Sequence, residues 1–113
     1  VHNSGHWTIE GAETSQFENH VRAVLGLPLG STAMRGHACM LNWLGAMPDA
    51  AAFLALHGGH WHDYGKQARD GRKVGHATVR ADTPALLAQL LGDVGQALQR
   101  DAQMAPVVAR LAP

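Results

Sequence analysis

Apolar residues recur at helical spacing near the start of the chain. Phe17, Val21 and Val24 fall on one face of a helix predicted over residues 14–26. Ser15 stands three residues before a glutamate, which is the spacing of a capping box. The stretch ends in a glycine, which readily adopts the left-handed conformation that follows a helix, and a proline two residues later prevents continuation. The pattern therefore predicts a helix with a defined start and end.

A leucine-rich stripe predicts a second helix near the end of the chain. Thr83 suits the N-cap, and Pro84 suits the first helical position, where a missing N–H leaves no helical bond unmade. The apolar stripe ends near Asp101, so the predicted terminal helix spans 83–101. The members of the stripe are Leu86, Leu87, Leu90, Leu91, Val94 and Leu98.

Short apolar runs bounded by glycines and turn residues predict strands. Residues 37–44 are mostly apolar and of strand length, which favours a buried strand. Residues 60–66 and 73–80 are predicted as two strands around an Asp-Gly turn, so that 60–80 is a hairpin. An alanine-rich stretch that opens with Pro-Asp predicts a short helix over 48–56. We therefore expect an α+β fold, with short antiparallel strands and a hairpin packed by two main helices.

Composition limits the size and class of the protein. The chain has 113 residues, 46% of them hydrophobic, which suits one small domain and not a complete multi-domain enzyme. No stretch approaches the roughly 20 apolar residues of a membrane span and no signal peptide is visible, so we expect a cytoplasmic protein without a membrane partner. The single cysteine, Cys39, excludes an internal disulfide. Nine basic and nine acidic residues cancel, which argues against a nucleic-acid partner.

Positive charge is nevertheless concentrated at the tip of the predicted hairpin. Four of the nine basic residues lie within eight positions, on a turn whose glycine lets backbone amides approach a ligand. Arginine and lysine side chains both bind phosphate or carboxylate. The alternative is a solvated turn, which composition alone favours because charged loop tips are common. The four residues, called the basic turn below, are Lys66, Arg69, Arg72 and Lys73.

Eight histidines in so short a chain raise the question of a metal site. On a strand, His60 and His62 point to the same face, and His57 lies close before them; imidazole is a common ligand of transition metals. No paired cysteines accompany these histidines, and no His-Glu-x-x-His motif is present. We therefore predict no metal site and expect these histidines to pack around neighbouring aromatic residues.

Motifs along nearly the whole chain resemble one family of enzymes. The chain is similar to the C-terminal third of the 5-(carboxyamino)imidazole ribonucleotide synthases, which are ATP-grasp ligases of purine biosynthesis. Because it begins with valine and lacks the family's nucleotide-binding lobes, we expect a fragment that is inactive alone. The matching segments are VHNSGHWT at 1–8, TSQFENHVRA at 14–23, LGLPLG at 25–30, MLNWLG at 40–45, YGK at 64–66 and GRKVGH at 71–76.

The resemblance implies a reaction and roles for particular residues. In the family, ATP activates bicarbonate as carboxyphosphate, which carboxylates the exocyclic amine of 5-aminoimidazole ribonucleotide. His2 and Asn3 match the positions that stabilise carboxyphosphate. Lys66, Arg72 and Lys73 match a basic loop that clamps the 5′-phosphate of the ribonucleotide. ATP and Mg²⁺ are then expected to be bound mainly by lobes outside this chain.

The resemblance also implies a division of the chain and an assembly. Residues 1–30 correspond to the end of the ATP-grasp lobe, a strand-loop followed by the helix at 14–26. Residues 31–113 correspond to a C-terminal α+β domain that holds the hairpin and the terminal helix. The intact enzyme is expected to be a homodimer.

Two other functions stay open at this point. The related formate-dependent glycinamide ribonucleotide transformylase is similar around the first helix, but it resembles His-Asp-Thr-Gly and a double-arginine loop where this chain has HNSGHW and GRKVGH. From a different class, the chain is also compatible with a non-catalytic anion- or metal-binding module. An upstream reading frame with an Asn-Glu pair and a closely following arginine would favour the ligase.

Overall fold

The computed structural model describes residues 2–111, and at its centre is a three-stranded antiparallel sheet. The strand β3 (Lys73–Ala81) lies in the middle, between β1 (His37–Leu44) and β2 (Gly59–Asp63). In the register of the sheet, His62 of β2 lies opposite His76 of β3. The central strand therefore carries residues that contact both of its neighbours.

Helices cover the sheet and form the N-terminal part of the chain. Among residues 2–111, no helix combines the length and the apolar character needed to cross a membrane. The helices are a 3₁₀-helix at Asn3–Trp7, then α1 (Thr8–Gly11), α2 (Gln16–Val24), α3 (Ala50–Leu54), α4 (Pro84–Ala97) and α5 (Asp101–Leu111).

The hydrophobic core lies between the sheet and the helices α3, α4 and α5. Leu91 of α4 and Phe53 of α3 have no exposed surface, and Trp43 of β1 is 1% exposed. Trp43 and Phe53 meet edge to face with ring centroids 6.3 Å apart, a favoured arrangement of aromatic rings. The other buried members of this core are Val74, Ala77, Val79, Ala81, Leu87, Val94 and Met104.

The predicted strands and the short helix between them are present, with corrections. The first strand has its predicted bounds, and the helix predicted over 48–56 is the shorter α3. The strand β2 ends earlier than predicted because the Asp63 carboxylate accepts a hydrogen bond from the Gly65 N–H at 2.8 Å and turns the chain. The prediction that residues 37–44 are a buried strand is wrong, since only Trp43 in β1 is buried. This strand lies at the edge of the sheet and is only partly covered.

The first predicted helix is confirmed as α2, including its caps. The Ser15 hydroxyl accepts a hydrogen bond from the Glu18 N–H at 3.0 Å, and Gly26 follows the helix with a φ of +69°. None of the residues of α2 is buried, and Val21 and Val24 are 55% and 71% exposed. The predicted apolar face therefore exists, but it buries little against the described part of the chain.

The predicted terminal helix at 83–101 is present as α4 but ends at Ala97, and it is followed by a further helix, α5, that the sequence did not predict. The helix α4 begins as predicted, with the Thr83 hydroxyl accepting a hydrogen bond from the Leu86 N–H at 3.1 Å. Gln99 then adopts a φ of +57°, which breaks the helix, and α5 packs back against α4. The sequence-based prediction missed α5 because Pro106 lies inside it, where proline normally disfavours a helix.

The strand-loop expected at the start of the chain is wrong, because the structure has helices there. The His2 ring caps the 3₁₀-helix by accepting a hydrogen bond from the Ser4 N–H at 3.1 Å. The Arg35 N–H donates to the Gly11 carbonyl at 2.8 Å and ties α1 to the segment before β1. The division of the chain at residue 30 stays a prediction.

Candidate functional site

A column of stacked rings joins the N-terminal helices to the sheet. His6 of the 3₁₀-helix stacks on His76 of β3, with ring centroids 4.6 Å apart and ring planes 3° apart. Phe17 of α2 stacks with His6 at 5.3 Å, and His62 of β2 stacks with His76 at 4.3 Å. The pairing of β2 with β3 sets the contact between His62 and His76. The ring column, as these four side chains are called below, attaches the N-terminal part of the chain to the sheet.

Tyr64 links two histidines of the ring column. Its hydroxyl lies 2.7 Å from Nδ1 of His76 and 3.4 Å from Nδ1 of His6. Burial raises the pKa of the Tyr64 phenol, so the hydroxyl keeps its proton and can donate to one imidazole while it accepts from the other. His76 is 2% exposed, and its Nε2 has no partner among residues 2–111. His76 is therefore held by stacking and by one hydrogen bond.

The ammonium of Lys73 lies against the same histidines. It donates to Nδ1 of His6 at 2.9 Å and also to the side-chain oxygen of Asn3. An ammonium has donors and no acceptor, so Nδ1 of His6 must carry a lone pair. His6 is therefore neutral in this arrangement and serves as a hydrogen-bond acceptor.

Burial and neighbouring positive groups disfavour protonation of these histidines. The pKa of His76 is lowered to about 4, first by burial and then by His62, His6 and Lys73. Burial is also the largest cause of the lowered pKa of His6, followed by Lys73 and His62. The pKa of Lys73 itself is lowered by burial and by the nearby Lys66. At neutral pH the imidazoles of His6 and His76 are uncharged, and the positive charge of the site is on the lysines.

The structure brings three of the predicted site residues together. Asn3 and Lys73 are in direct contact although they are 70 positions apart in the chain. The ammonium of Lys66 lies 5.5 Å from the centre of the Tyr64 ring, and that of Lys73 lies 5.8 Å from the same centre. Such distances are typical of cation–π contacts. The predicted catalytic end and the predicted phosphate-binding turn therefore meet at Tyr64.

The two remaining predicted site residues make local contacts. The exposed His2 contacts Ser4, through the N–H described above and through the Ser4 hydroxyl at 3.0 Å. Arg72 donates to the carbonyl of Gln67 at 3.4 Å, across the basic turn. Both side chains keep donors that these contacts do not use.

Sequence reasoning missed the residues that connect the predicted ones. His6 and Tyr64 lay within matched motifs but received no role, and His76 was only the last residue of such a motif. One signal was available, because a hairpin register places His62 opposite His76. The stacking of His6 on His76 had no such signal, since it depends on how distant segments pack.

Three side chains come close enough to suggest a metal site. Glu10, His62 and His76 have donor atoms within 4.8 Å of one another, and Nε2 of His62 lies 2.9 Å from the Glu10 carboxylate. The two imidazole planes are only 16° apart and stacked, however, and a ring nitrogen binds metal in its own ring plane. In nearly parallel planes the two lone pairs do not converge on one ion. The absence of a metal site stays a prediction, and the group that comes together shares only His62 with the histidines His57, His60 and His62 considered in the sequence.

An open cleft of about 410 Å³ lies against the ring column. Besides the column, its walls include Ile9, Trp61, Asp63 and Tyr64. The cleft offers aromatic faces and the neutral imidazoles of His6 and His76, and the two lysine ammonium groups lie beside the ring of Tyr64, which is one of its walls. Groups of this kind suit a small anionic ligand that carries a planar ring.

Comparison with known proteins identifies relatives that match most of this chain. Residues 38–102 match the family model described as phosphoribosylaminoimidazole carboxylase C-terminal domain. The chain is 60% identical over 94 residues to the N5-carboxyaminoimidazole ribonucleotide synthase of Pseudomonas aeruginosa, a match that covers 83% of this chain. The crystal structure of N5-carboxyaminoimidazole ribonucleotide synthetase from Thermus thermophilus has a TM-score of 0.84 at 59% identity over 87% of this chain.

A second similar structure holds ligands. It is N5-carboxyaminoimidazole synthase from Aspergillus clavatus in complex with ADP and 5-aminoimidazole ribonucleotide, with a TM-score of 0.78 at 38% identity over 88% of this chain. The chain spans only part of each relative, namely 26% of the Pseudomonas protein, 27% of the Thermus chain and 29% of the Aspergillus chain.

Proposed function

The chain belongs to the family of phosphoribosylaminoimidazole carboxylase C-terminal domains, and on this basis we propose that it forms the C-terminal part of a ligase of purine biosynthesis. The ligase uses ATP and bicarbonate to convert 5-aminoimidazole ribonucleotide into 5-carboxyaminoimidazole ribonucleotide. The observation that carries the proposal is the contact between Lys73 and Asn3, which joins two separate family motifs at one point. The names of the relatives favour this ligase over the transformylase.

The proposed reaction needs donors that stabilise a short-lived anion away from water. The amine nitrogen attacks the carbonyl carbon of carboxyphosphate, and the bond from that carbon to the phosphate oxygen breaks. Phosphate leaves with the electron pair and takes the proton of the amine. His2 and Asn3 are proposed to donate to carboxyphosphate, because their side chains offer N–H donors at the end of the chain that faces the Lys73 ammonium.

The ribonucleotide is proposed to be anchored by its 5′-phosphate. Lys66 and Arg72 provide a point charge and a planar fork, both at the basic turn and both with donors available. Lys73 is predicted from the sequence to share this role, but its ammonium lies at Asn3. Anchoring by a remote phosphate helps to orient the reacting amine.

ATP and Mg²⁺ are proposed to bind mainly to parts of the ligase outside this chain. Mg²⁺ prefers six oxygen ligands, whereas the group formed by Glu10, His62 and His76 offers two nitrogens and one carboxylate. Among residues 2–111, the group that comes together therefore does not fit Mg²⁺. We further propose that the intact ligase is a homodimer in the cytoplasm, where its substrates are small molecules.

The test is kinetic, in the full-length ligase that carries this chain. Formation of ADP should require both bicarbonate and 5-aminoimidazole ribonucleotide, and the 113-residue chain alone should form none. Arg72→Ala should raise the KM for the ribonucleotide by about 10-fold or more and leave the KM for ATP unchanged, since a charge-assisted hydrogen bond contributes about 1.5–3 kcal/mol. Arg110→Ala, at an exposed position of α5, is the control. Equal increases in both Michaelis constants would contradict a phosphate anchor.

A further inference from the structure

The chain has two lysines, and they hold different positions. Lys66 is exposed in the basic turn, whereas Lys73 is half-buried at the start of β3. Both ammonium groups lie beside the Tyr64 ring, but only Lys73 is bound to Asn3 and His6. The two lysines therefore form a matched pair with one shared neighbour and different partners.

The charge of Lys73 has no carboxylate partner within residues 2–111. The ion pairs in that part of the chain are Arg22–Glu18 and Arg80–Asp82, and the Glu10 carboxylate lies against His62. Both acceptors of Lys73, the Asn3 amide oxygen and the His6 imidazole, are neutral groups. The neutral acceptors supply no negative charge to compensate this ammonium, so it attracts an anionic ligand.

The position of this ammonium is fixed by the ring column. His6 is stacked against Phe17 and His76, and the Tyr64 hydroxyl lies 3.4 Å from the same Nδ1 that accepts from Lys73. A rigid acceptor limits where the flexible lysine side chain places its charge. The charge lies at Asn3, one residue from His2, and so at the end of the site proposed to bind carboxyphosphate.

We infer that Lys73 is a catalytic residue that binds carboxyphosphate, instead of the 5′-phosphate of the ribonucleotide, and that His6 is its positioning residue. The inference rests on the proposed function. When the amine attacks, negative charge grows on the departing phosphate, and an ammonium held in place stabilises it without reorganisation. The proton of the amine passes to the phosphate, so Lys73 keeps its own protons throughout.

The two lysines supply the kinetic test in the full-length ligase. Lys73→Met should lower kcat by about 100-fold, as loss of one preorganised donor does, and change the KM for the ribonucleotide by less than about 3-fold. Lys66→Met should show the opposite split, with the KM raised by about 10-fold and kcat nearly kept. His6→Ala should lower kcat in the same way as Lys73→Met, and His6→Asn should restore part of it because its amide oxygen accepts a hydrogen bond. If Lys73→Met raises the KM as Lys66→Met does and spares kcat, the inference is wrong.

A binding experiment on the full-length ligase separates this inference from the proposed function. Phosphonoformate mimics carboxyphosphate, and ribose 5-phosphate mimics the 5′-phosphate end of the ribonucleotide. NMR titration measures the binding of each probe. Lys73→Met should weaken the binding of phosphonoformate by about 10-fold and leave the binding of ribose 5-phosphate unchanged. Lys66→Met should have the reverse effect on the two probes. Equal loss of both probes in both variants, or no binding of phosphonoformate, would overturn the inference. Lys73→Gln replaces Lys73→Met if that variant does not give a folded spectrum. An unmodified full-length ligase without activity would instead overturn the proposed function.

Discussion

Two regions of the molecule differ in how much surface they bury. One is the sheet together with α4 and α5, and the other is the N-terminal part of the chain, residues 3–36. The first encloses a core in which Leu91 is fully buried, whereas α2 in the second has no buried residue and Leu25 after it is 65% exposed. The N-terminal part nevertheless supplies Asn3 and His6 to the site. It is attached through the ring column and a few hydrogen bonds. The buried core therefore lies in one part, and the other part, which buries little, still provides residues to the site.

The largest expected effect separates these parts by stability. Leu91→Ala should lower the free energy of unfolding by about 4 kcal/mol, because it leaves a cavity in a fully buried position. Leu25→Ala removes the same atoms from a side chain that is 65% exposed. It should change the free energy of unfolding by less than about 0.5 kcal/mol. Urea unfolding of the 113-residue chain measures both. Similar losses in the two variants would mean that the N-terminal part shares the core.

The second effect arises where the two parts meet, at His76. Its pKa is lowered from 6.5 to about 4 in the folded chain, by burial first and then by His62, His6 and Lys73. Below pH 6.5 His76 binds a proton in the unfolded chain but not in the folded chain. The free energy of unfolding is therefore highest above pH 6.5 and falls as the pH drops towards 4. The loss should reach about 3 kcal/mol at 1.36 kcal/mol per pKa unit.

Urea unfolding at several pH values between 7 and 4 measures this loss. The Tyr64 phenol and the Glu10 carboxylate are further titratable groups near His76, and the phenol does not titrate in this range. His76→Gln keeps a side chain that forms hydrogen bonds but does not titrate, and so isolates the contribution of His76 from that of carboxylates. A difference between His76→Gln and the unmodified chain that stays constant with pH would refute the assignment.

Local signals in the sequence were sufficient for most elements of the fold. Ser15 and Thr83 were predicted as N-caps, and both accept the expected backbone hydrogen bond, because a cap depends only on residues within one turn. The break at Gln99 was missed, since a left-handed glutamine is rare and nothing local demands it. The burial of residues 37–44 was overestimated because an apolar run does not reveal whether its strand is central or at an edge.

The charged residues of the site could be predicted from the sequence, whereas the contacts between its distant side chains could not. Lys66, Arg72 and Lys73 stood out by charge density, and His2 and Asn3 by resemblance to a family. The contact of Lys73 with Asn3 joins residues 70 positions apart and arises only when the 3₁₀-helix packs on β3. Periodicity reports which face of an element is apolar, but it contains no information on which distant side chains that face will meet.

The smallest expected effect compares the two predicted caps directly. Thr83 caps α4, which is packed into the core, so Thr83→Ala should lower the free energy of unfolding by about 1 kcal/mol. Ser15 makes the same hydrogen bond for α2, in which no residue is fully buried, so α2 frays without opening the core and Ser15→Ala should change global stability by less than about 0.5 kcal/mol. Its effect should instead be local, with faster hydrogen exchange at the Glu18 N–H. If both substitutions lower global stability equally, α2 unfolds together with the core, and the ring column couples the two parts more tightly than their burial indicates.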